Sequence, residues 1–151
     1  MREILFRGKR KNNEYIKGGK WIEGNLLKAN FEGAEYPFIF GNDFFLNNGG
    51  KMKSLSHALV IPETIGQYTG LTDKNGKKIF EGDILKFYGE DGDEESYTKY
   101  EVIWLENGWH AQDVHRLYMA DTLSPLSWVK EHFEVIGNIY DNSELLEGDS
   151  Q

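Results

Sequence analysis

The chain has 151 residues and no cysteine, which excludes a disulfide framework, an iron–sulfur cluster and a Cys-based zinc site. Its 17 basic and 25 acidic residues leave a formal net charge of -8, which argues against sequence-independent binding of nucleic acid, because that mode needs Lys and Arg to neutralise phosphates. With 14% aromatic residues, 17 glycines and only 3 prolines, the composition suits many short strands joined by tight turns better than a helical bundle.

The first ten residues, Met1 to Arg10, are interrupted by charge every few positions and hold no apolar leader segment. No run approaches the length of a membrane span, so a cytoplasmic protein with no membrane partner is expected. Glu3 to Arg7 alternates, with Ile4 and Phe6 on one face, and reads as a first strand. Arg2, Arg7, Lys9, Arg10 and Lys11 make this stretch locally basic, as charged residues on a solvated edge strand would. Lys11 to Glu14 and Gly18-Gly19 are turn-like. Trp21 to Leu27 reads as a strand in which Gly24 permits a close approach or a bulge. Asn30 to Glu35 is small and polar, and Tyr36 to Phe40 is an apolar strand that Pro37 restricts to an edge or a strand start.

Gly41 to Ser56 carries the flexible Asn47-Asn48-Gly49-Gly50, with Phe44, Phe45 and Leu46 beside it as core or interface candidates. Ala58 to Pro62 leads to a boundary near Pro62 to Gly66. The chain therefore divides into an N-terminal β-rich lobe (residues 1–65), a second lobe (residues 66–146) and a frayed tail (residues 147–151). The second lobe opens on Asn75-Gly76, the strongest short-range hairpin signal in the chain. A type I′ tip there sets Lys74 against Lys77, Asp73 against Lys78, Thr72 against Ile79 and Leu71 against Phe80, giving one opposite-charge pair and one apolar pair.

Glu81-Gly82-Asp83 is a second tight turn, and Ile84 to Tyr88 leaves it as a strand. Gly89 to Ser96 is an acidic loop. Tyr97 to Leu105 is a strand with Tyr100, Val102 and Trp104 near one face. Asn107-Gly108 is another tip, so Trp109 to Val114 folds back in an antiparallel meander. Ser124-Pro125 opens a short helix through Lys130. Phe133 to Tyr140 is a closing strand, and Ser143 to Leu146 is at most one helical turn.

Several motifs fail on spacing. Gly70 to Lys78 resembles a phosphate loop, but five residues separate its glycines and Lys78 stands where the hydroxyl belongs. Asp91 to Glu95 and Asp73 to Gly76 offer carboxylates for calcium, yet neither places glycine and glutamate at the sixth and twelfth positions. His57, His110, His115 and His132 form no metal-ligand pattern. Glu63, Glu81 and Asp83 lie in turns, where carboxylates are usually solvated turn formers. No cofactor, metal ligand or catalytic residue is therefore expected. Tyr68, Trp104 and Trp109 are the aromatics to watch: Trp104 is expected in the core, and Trp109, beside His110, is expected to be exposed.

Taken together, Arg2-Glu3-Ile4…Phe6-Arg7-Gly8-Lys9, Trp21-Ile22-Glu23-Gly24, Val60 to Leu71, Asp73 to Lys77, Glu81 to Ile84 and Glu134 to Leu146 resemble the YopX-like proteins of bacteriophages and prophages. Ser143 departs from this pattern, where the family often has proline. The resemblance implies a mainly β protein with little helix, whose second lobe is a small SH3-like barrel. It also implies a phage or prophage origin and the bacterial host cytoplasm, and it carries over no activity.

The leading expectation is a non-enzymatic accessory protein that binds another macromolecule, protein in the first instance, with homo-oligomers as a corollary. Its expected binding surface takes in Tyr68, Trp109, His110, Arg7, Lys9 and Arg10. The alternatives are nucleic-acid binding along the basic N-terminal edge, an acidic mimic of nucleic acid, and a small enzyme using Glu63, Asp83, His110 and His115.

Overall fold

A computed structural model describes residues 2–13, 17–41, 55–88, 97–106, 108–115, 121–122 and 127–147. Phe44, Phe45, Leu46, the acidic stretch 91–95, Asn107 and Ser124-Pro125 lie outside the described residues. The protein is mainly β and divides into two compact units, Met1–Gln67 and Tyr68–Gln151. No helix among the described residues is long and apolar enough to cross a membrane.

In the first unit, β1 (Phe6–Lys9) pairs antiparallel with β2 (Trp21–Phe31), and β2 pairs with β3 (Ala34–Phe40). β2 runs four residues beyond the expected Leu27, because Glu32 and Gly33 close a two-residue hairpin there with φ of 49° and 82°. Positive φ at both central residues is the twist that matches flanking strands. A glutamate in the first of those positions is why composition alone reads the segment as loop. β3 carries Pro37 opposite Lys28, and an isolated bridge joins Phe38 to Leu59 on the other side of β3.

The stretch 58–61 closes the unit. Ile39 N–H donates to Ala58 O (2.8 Å) and Val60 N–H to Pro37 O (3.2 Å); Ile61 N–H donates to Lys9 O (2.8 Å) and Lys11 N–H to Leu59 O (2.9 Å). β1, β2, β3 and this stretch therefore form a ring, with Ile39 and Val60 fully buried. Gly8 faces them: a Cβ there would stand 3.1 Å from both Ile39 Cδ1 and Val60 Cβ. The ring corrects the expectation of a basic edge strand. β1 has β2 on one side, and on the other side the 59–61 stretch and the start of β4 (Gly66–Thr72), through Phe6↔Gln67 and Arg7↔Gly66.

In the second unit the rest of β4 pairs with β5 (Lys78–Phe80). A five-stranded antiparallel sheet follows, in the order β10-β6-β7-β8-β9. Its strands are β6 (Asp83–Phe87), β7 (Thr98–Leu105), β8 (Gly108–Asp113), β9 (Asp121–Thr122) and β10 (Phe133–Asn138). A short helix α1 (Ser127–His132) precedes β10, and Ser143–Leu146 forms a 3₁₀ turn. Leu71, Ile79, Leu85, Val102, Trp109, Ala111, Val129, Phe133 and Val135 make the core. Burying such side chains is the main favourable term for a unit of this size, at about 25 cal/mol per Å² of apolar surface.

The hairpin forms, with a different tip. Asp73 O accepts from Gly76 N–H (3.0 Å) and Asp73 N–H donates to Lys77 O (2.8 Å), which defines a three-residue loop. Gly76 has φ 79°, while Asn75 stays out of the left-handed region. This is the turn-plus-bulge alternative to a type I′ tip. Register follows: Thr72 faces Lys78 and Tyr68 faces Phe80, with an irregularity between. None of the four cross-strand pairs expected from a type I′ tip is made. The cause is Asp73, whose buried carboxylate binds the loop's own backbone: Oδ1 accepts from Asn75 N–H (2.8 Å) and Lys77 N–H (2.9 Å). Its Oδ2 accepts from Val135 N–H (2.9 Å), and Lys74 N–H donates to Phe133 O (3.0 Å). The hairpin tip is thereby fastened to β10.

The second meander tip also shifts by one residue. Leu105 pairs with Gly108, one residue off the pairing an Asn107-Gly108 tip would give, and Glu106 takes φ 56°.

Candidate binding surface

The residues singled out in sequence are mostly used inside the fold. Arg7 is 8% exposed and lays its guanidinium 4.8 Å from the centroid of the Trp21 ring, with Lys9 Nζ 5.7 Å from the same ring. Arg10 donates from Nη2 to Lys17 O (2.9 Å). Tyr68 is buried against Phe80, with ring centroids 5.6 Å apart. His110 sits on β8 with Nδ1 3.1 Å from Gly108 O.

The two tryptophans exchange their expected places. Trp109 is 9% exposed and joins the core, while Trp104 is 49% exposed. They are cross-strand partners, packed edge to face at 4.7 Å. As directly opposed partners, both rings stand on one face near the strand end. Trp109 is the one set over the core, and Trp104 covers it from outside.

The carboxylates and histidines proposed for acid–base work have separate local roles. Asp83 is buried and accepts from Phe80 N–H (2.7 Å), which caps the tight turn at 81–82. Glu63 is exposed on the 3₁₀ turn Pro62–Thr64. His115 is exposed, and its backbone N–H donates to Asp113 Oδ1 (3.1 Å). Among the described residues no group of three or more His, Asp or Glu is placed to hold a metal ion.

What the fold does assemble is a patch of tyrosine and lysine on the side of the β10-β6-β7 sheet away from the core. Register places Glu134 of β10 opposite Lys86 of β6, and Lys86 opposite Lys99 of β7. Cross-strand partners share a face, so these three side chains form a row across the sheet. Tyr88 follows Lys86 by two residues and Tyr97 precedes Lys99 by two, which continues the row along the strands. Lys86 Nζ stands 4.6 Å from the Tyr88 ring and 4.2 Å from the Tyr97 ring. The hairpin tip delivers Lys74 to the same place, 3.8 Å over the Tyr88 ring and 3.2 Å from Glu134 Oε2. Tyr88 donates its hydroxyl proton to Glu134 Oε2 at 2.5 Å.

The electrostatics follow from these contacts. The Tyr88 hydrogen bond, then that from Lys74, holds the Glu134 carboxyl below its usual value of 4.5 against the opposing effect of burial. Partial burial works against the charge of Lys74, but hydrogen bonds to Glu134 and Tyr88 outweigh it and hold the ammonium above 10.5. The patch remains open to solvent: Tyr97 is 45% exposed, and Lys86, Tyr88, Lys99 and Glu134 are half-buried.

This surface is not visible in sequence. Lysine and tyrosine alternate at 86 and 88 and again at 97 and 99, which marks one face of each strand. Their opposition depends on the register across the long connection between β6 and β7, which no turn signal specifies.

A family model described as YopX protein matches residues 6–147. Among solved structures, the chain is similar to the crystal structure of protein EF1440 from Enterococcus faecalis. That similarity has 20% sequence identity, covers 96% of this chain and 99% of that chain, and has a TM-score of 0.44. No curated protein matches the chain.

Proposed function

The chain belongs to the YopX family, and on that premise we propose that it is a non-enzymatic module that binds another protein through the tyrosine–lysine face of its second unit. The observation that carries this reading is the pair of solvent-reachable tyrosines, Tyr88 and Tyr97, held with lysine ammonium groups on their rings. Tyrosine offers large contact area with few rotamers to freeze, which is why it recurs at protein interfaces. A platform already ordered by cation–π contacts and a carboxylate loses less entropy on binding than a loose surface. The same reading makes the protein an accessory factor of a bacteriophage or prophage, working in the host cytoplasm; its support is the resemblance carried by the segments from Arg2 to Leu146.

Nucleic-acid binding along the N-terminal stretch has less in its favour, since Arg7 is buried and Arg10 is spent on a backbone carbonyl. The test is affinity capture from a bacterial lysate with the wild-type chain and with Tyr97→Ala. A partner retained by the wild type and lost with Tyr97→Ala supports the reading. A partner set indifferent to Tyr97→Ala overturns it.

A further inference from the structure

Lys86 and Lys99 stand directly opposite one another across β6 and β7. Like charges in that position destabilise a sheet, although Lys86 also has the Tyr88 and Tyr97 rings beside it. Glu134 flanks Lys86 on its other side, but it also receives Lys74 and the Tyr88 hydroxyl. Glu101 lies two residues further along the same face of β7, opposite Ile84. Lys99 stands one strand further from Glu134 than Lys86 does.

The wider charge distribution sharpens the contrast. The first unit has 10 basic and 7 acidic residues in its sequence, and the second has 7 basic and 18 acidic, a formal -11. Three of those seven basic residues, Lys74, Lys86 and Lys99, gather at this one patch. We infer that the patch takes an acidic, extended peptide segment of the partner, whose carboxylates meet Lys86 and Lys99 while its intervening side chains lie on Tyr88 and Tyr97. The inference rests on the protein-binding reading above and adds the chemistry of the ligand.

Geometry and charge favour a peptide over a nucleic acid. A phosphate backbone carries a charge on every residue and must run past the patch onto a strongly acidic unit. A peptide can present one or two carboxylates and neutral residues elsewhere. Charges beyond about 8 Å are screened at physiological ionic strength, so the segment responds to the nearest groups, among them the ammonium groups of Lys86 and Lys99. The tyrosine rings supply the apolar contact that carboxylates alone lack.

The decisive variant is Lys99→Glu, because it separates binding from folding. It replaces a like-charge opposition with an opposite-charge pair, so the protein is expected to unfold at a higher midpoint than wild type. Binding is followed by fluorescence anisotropy with a labelled decapeptide of alternating Glu and Ala, its Gln–Ala counterpart, and an oligo-dT strand. The Glu peptide is expected to bind the wild type, to weaken as salt rises, and to lose about tenfold or more in affinity both in its Gln form and on Lys99→Glu, since each change removes a charge-assisted contact. Equal binding of Glu and Gln peptides, absence of binding to the wild type, or unchanged binding to Lys99→Glu overturns the inference. Tighter, Lys99-dependent binding of oligo-dT also overturns it, in favour of nucleic acid. If the lysate partner is lost with Tyr97→Ala but kept by Lys99→Glu, the ligand chemistry falls while the protein-binding reading stands. If Tyr97→Ala changes nothing in the lysate, the reading itself falls.

Discussion

Replacing Asp73 tests the claim that its carboxylate fastens the hairpin to β10. Three backbone donors converge on it: Asn75 and Lys77 on Oδ1, and Val135 on Oδ2. In Asp73→Ala the first two donors belong to exposed residues and regain water, so each bond costs only about 0.5–1 kcal/mol. The Val135 donor is buried and left unsatisfied, at about 1–3 kcal/mol. The total is about 3 kcal/mol, or a fall in Tm of roughly 6–12 °C for a chain of this length. Asp73→Asn keeps an oxygen for the loop but turns an amide donor on Val135 N–H, for about 2 kcal/mol. Urea denaturation followed by tryptophan fluorescence reads both, since Trp109 lies in the same core. Had Asp73 faced Lys78, as a type I′ tip requires, Lys78→Ala would cost as much as Asp73→Ala and the two would couple. With the register observed, Lys78 stands opposite Thr72 and not Asp73, so Lys78→Ala costs about 1 kcal/mol or less and the double-mutant coupling is near zero. An Asp73→Ala loss below about 1 kcal/mol, or a coupling above it, refutes the reasoning.

Gly24→Ala is expected to unfold the first unit or cost about 3 kcal/mol or more, because its Cβ would lie 2.1 Å from Phe40 O, a backbone atom that cannot swing aside; circular dichroism melting shows it. Trp109→Ala should cost about 3–5 kcal/mol in urea denaturation followed by circular dichroism and Trp104→Ala much less, a ranking opposite to that expected from sequence. Glu134 is depressed in the folded state, so its contribution is present above its unfolded value near 4.5 and is lost as pH falls through the lower folded value. Glu134→Gln should therefore flatten the acid limb of the stability–pH profile below pH 4.5, and an unchanged limb counts against the Tyr88–Glu134–Lys74 cluster. Lys74 runs the other way: its contribution is present below 10.5 and fades as pH climbs through the raised folded value, so Lys74→Met should remove a loss seen only on the alkaline side.

Local signals carried much of the architecture. Apolar patterning located Trp21, Tyr36, Ile84, Tyr100, Trp109 and Phe133 in strands, and the glycines at 76 and 82 marked turns that the structure keeps, each at positive φ. The places where sequence reading erred share a cause. At Asp73 a side chain competing for the loop's amides changed the tip by one residue. At Glu106 the pairing moved by one residue, which set Trp109 directly opposite Trp104. At Glu32 a residue type rare in positive φ hid a hairpin. Each is a one-residue question of register, and register depends on which backbone groups find partners once the sheet is assembled.

The candidate surface was beyond such reading for the same reason. Lys86 and Lys99, with Tyr88 and Tyr97 just past the strand ends, are plain alternating residues until two strands joined by a long connection are set side by side.

The sequence by itself determined the β character, the family and the positions of most strands, because alternation and turn chemistry act within a few residues of each other. Only the tertiary structure decided that β1 is enclosed, that Arg7 and Trp109 are buried, and that two lysines face each other between two tyrosines. Those outcomes depend on pairing between segments far apart in the chain, where the gain is shared burial and hydrogen bonding that no single segment encodes.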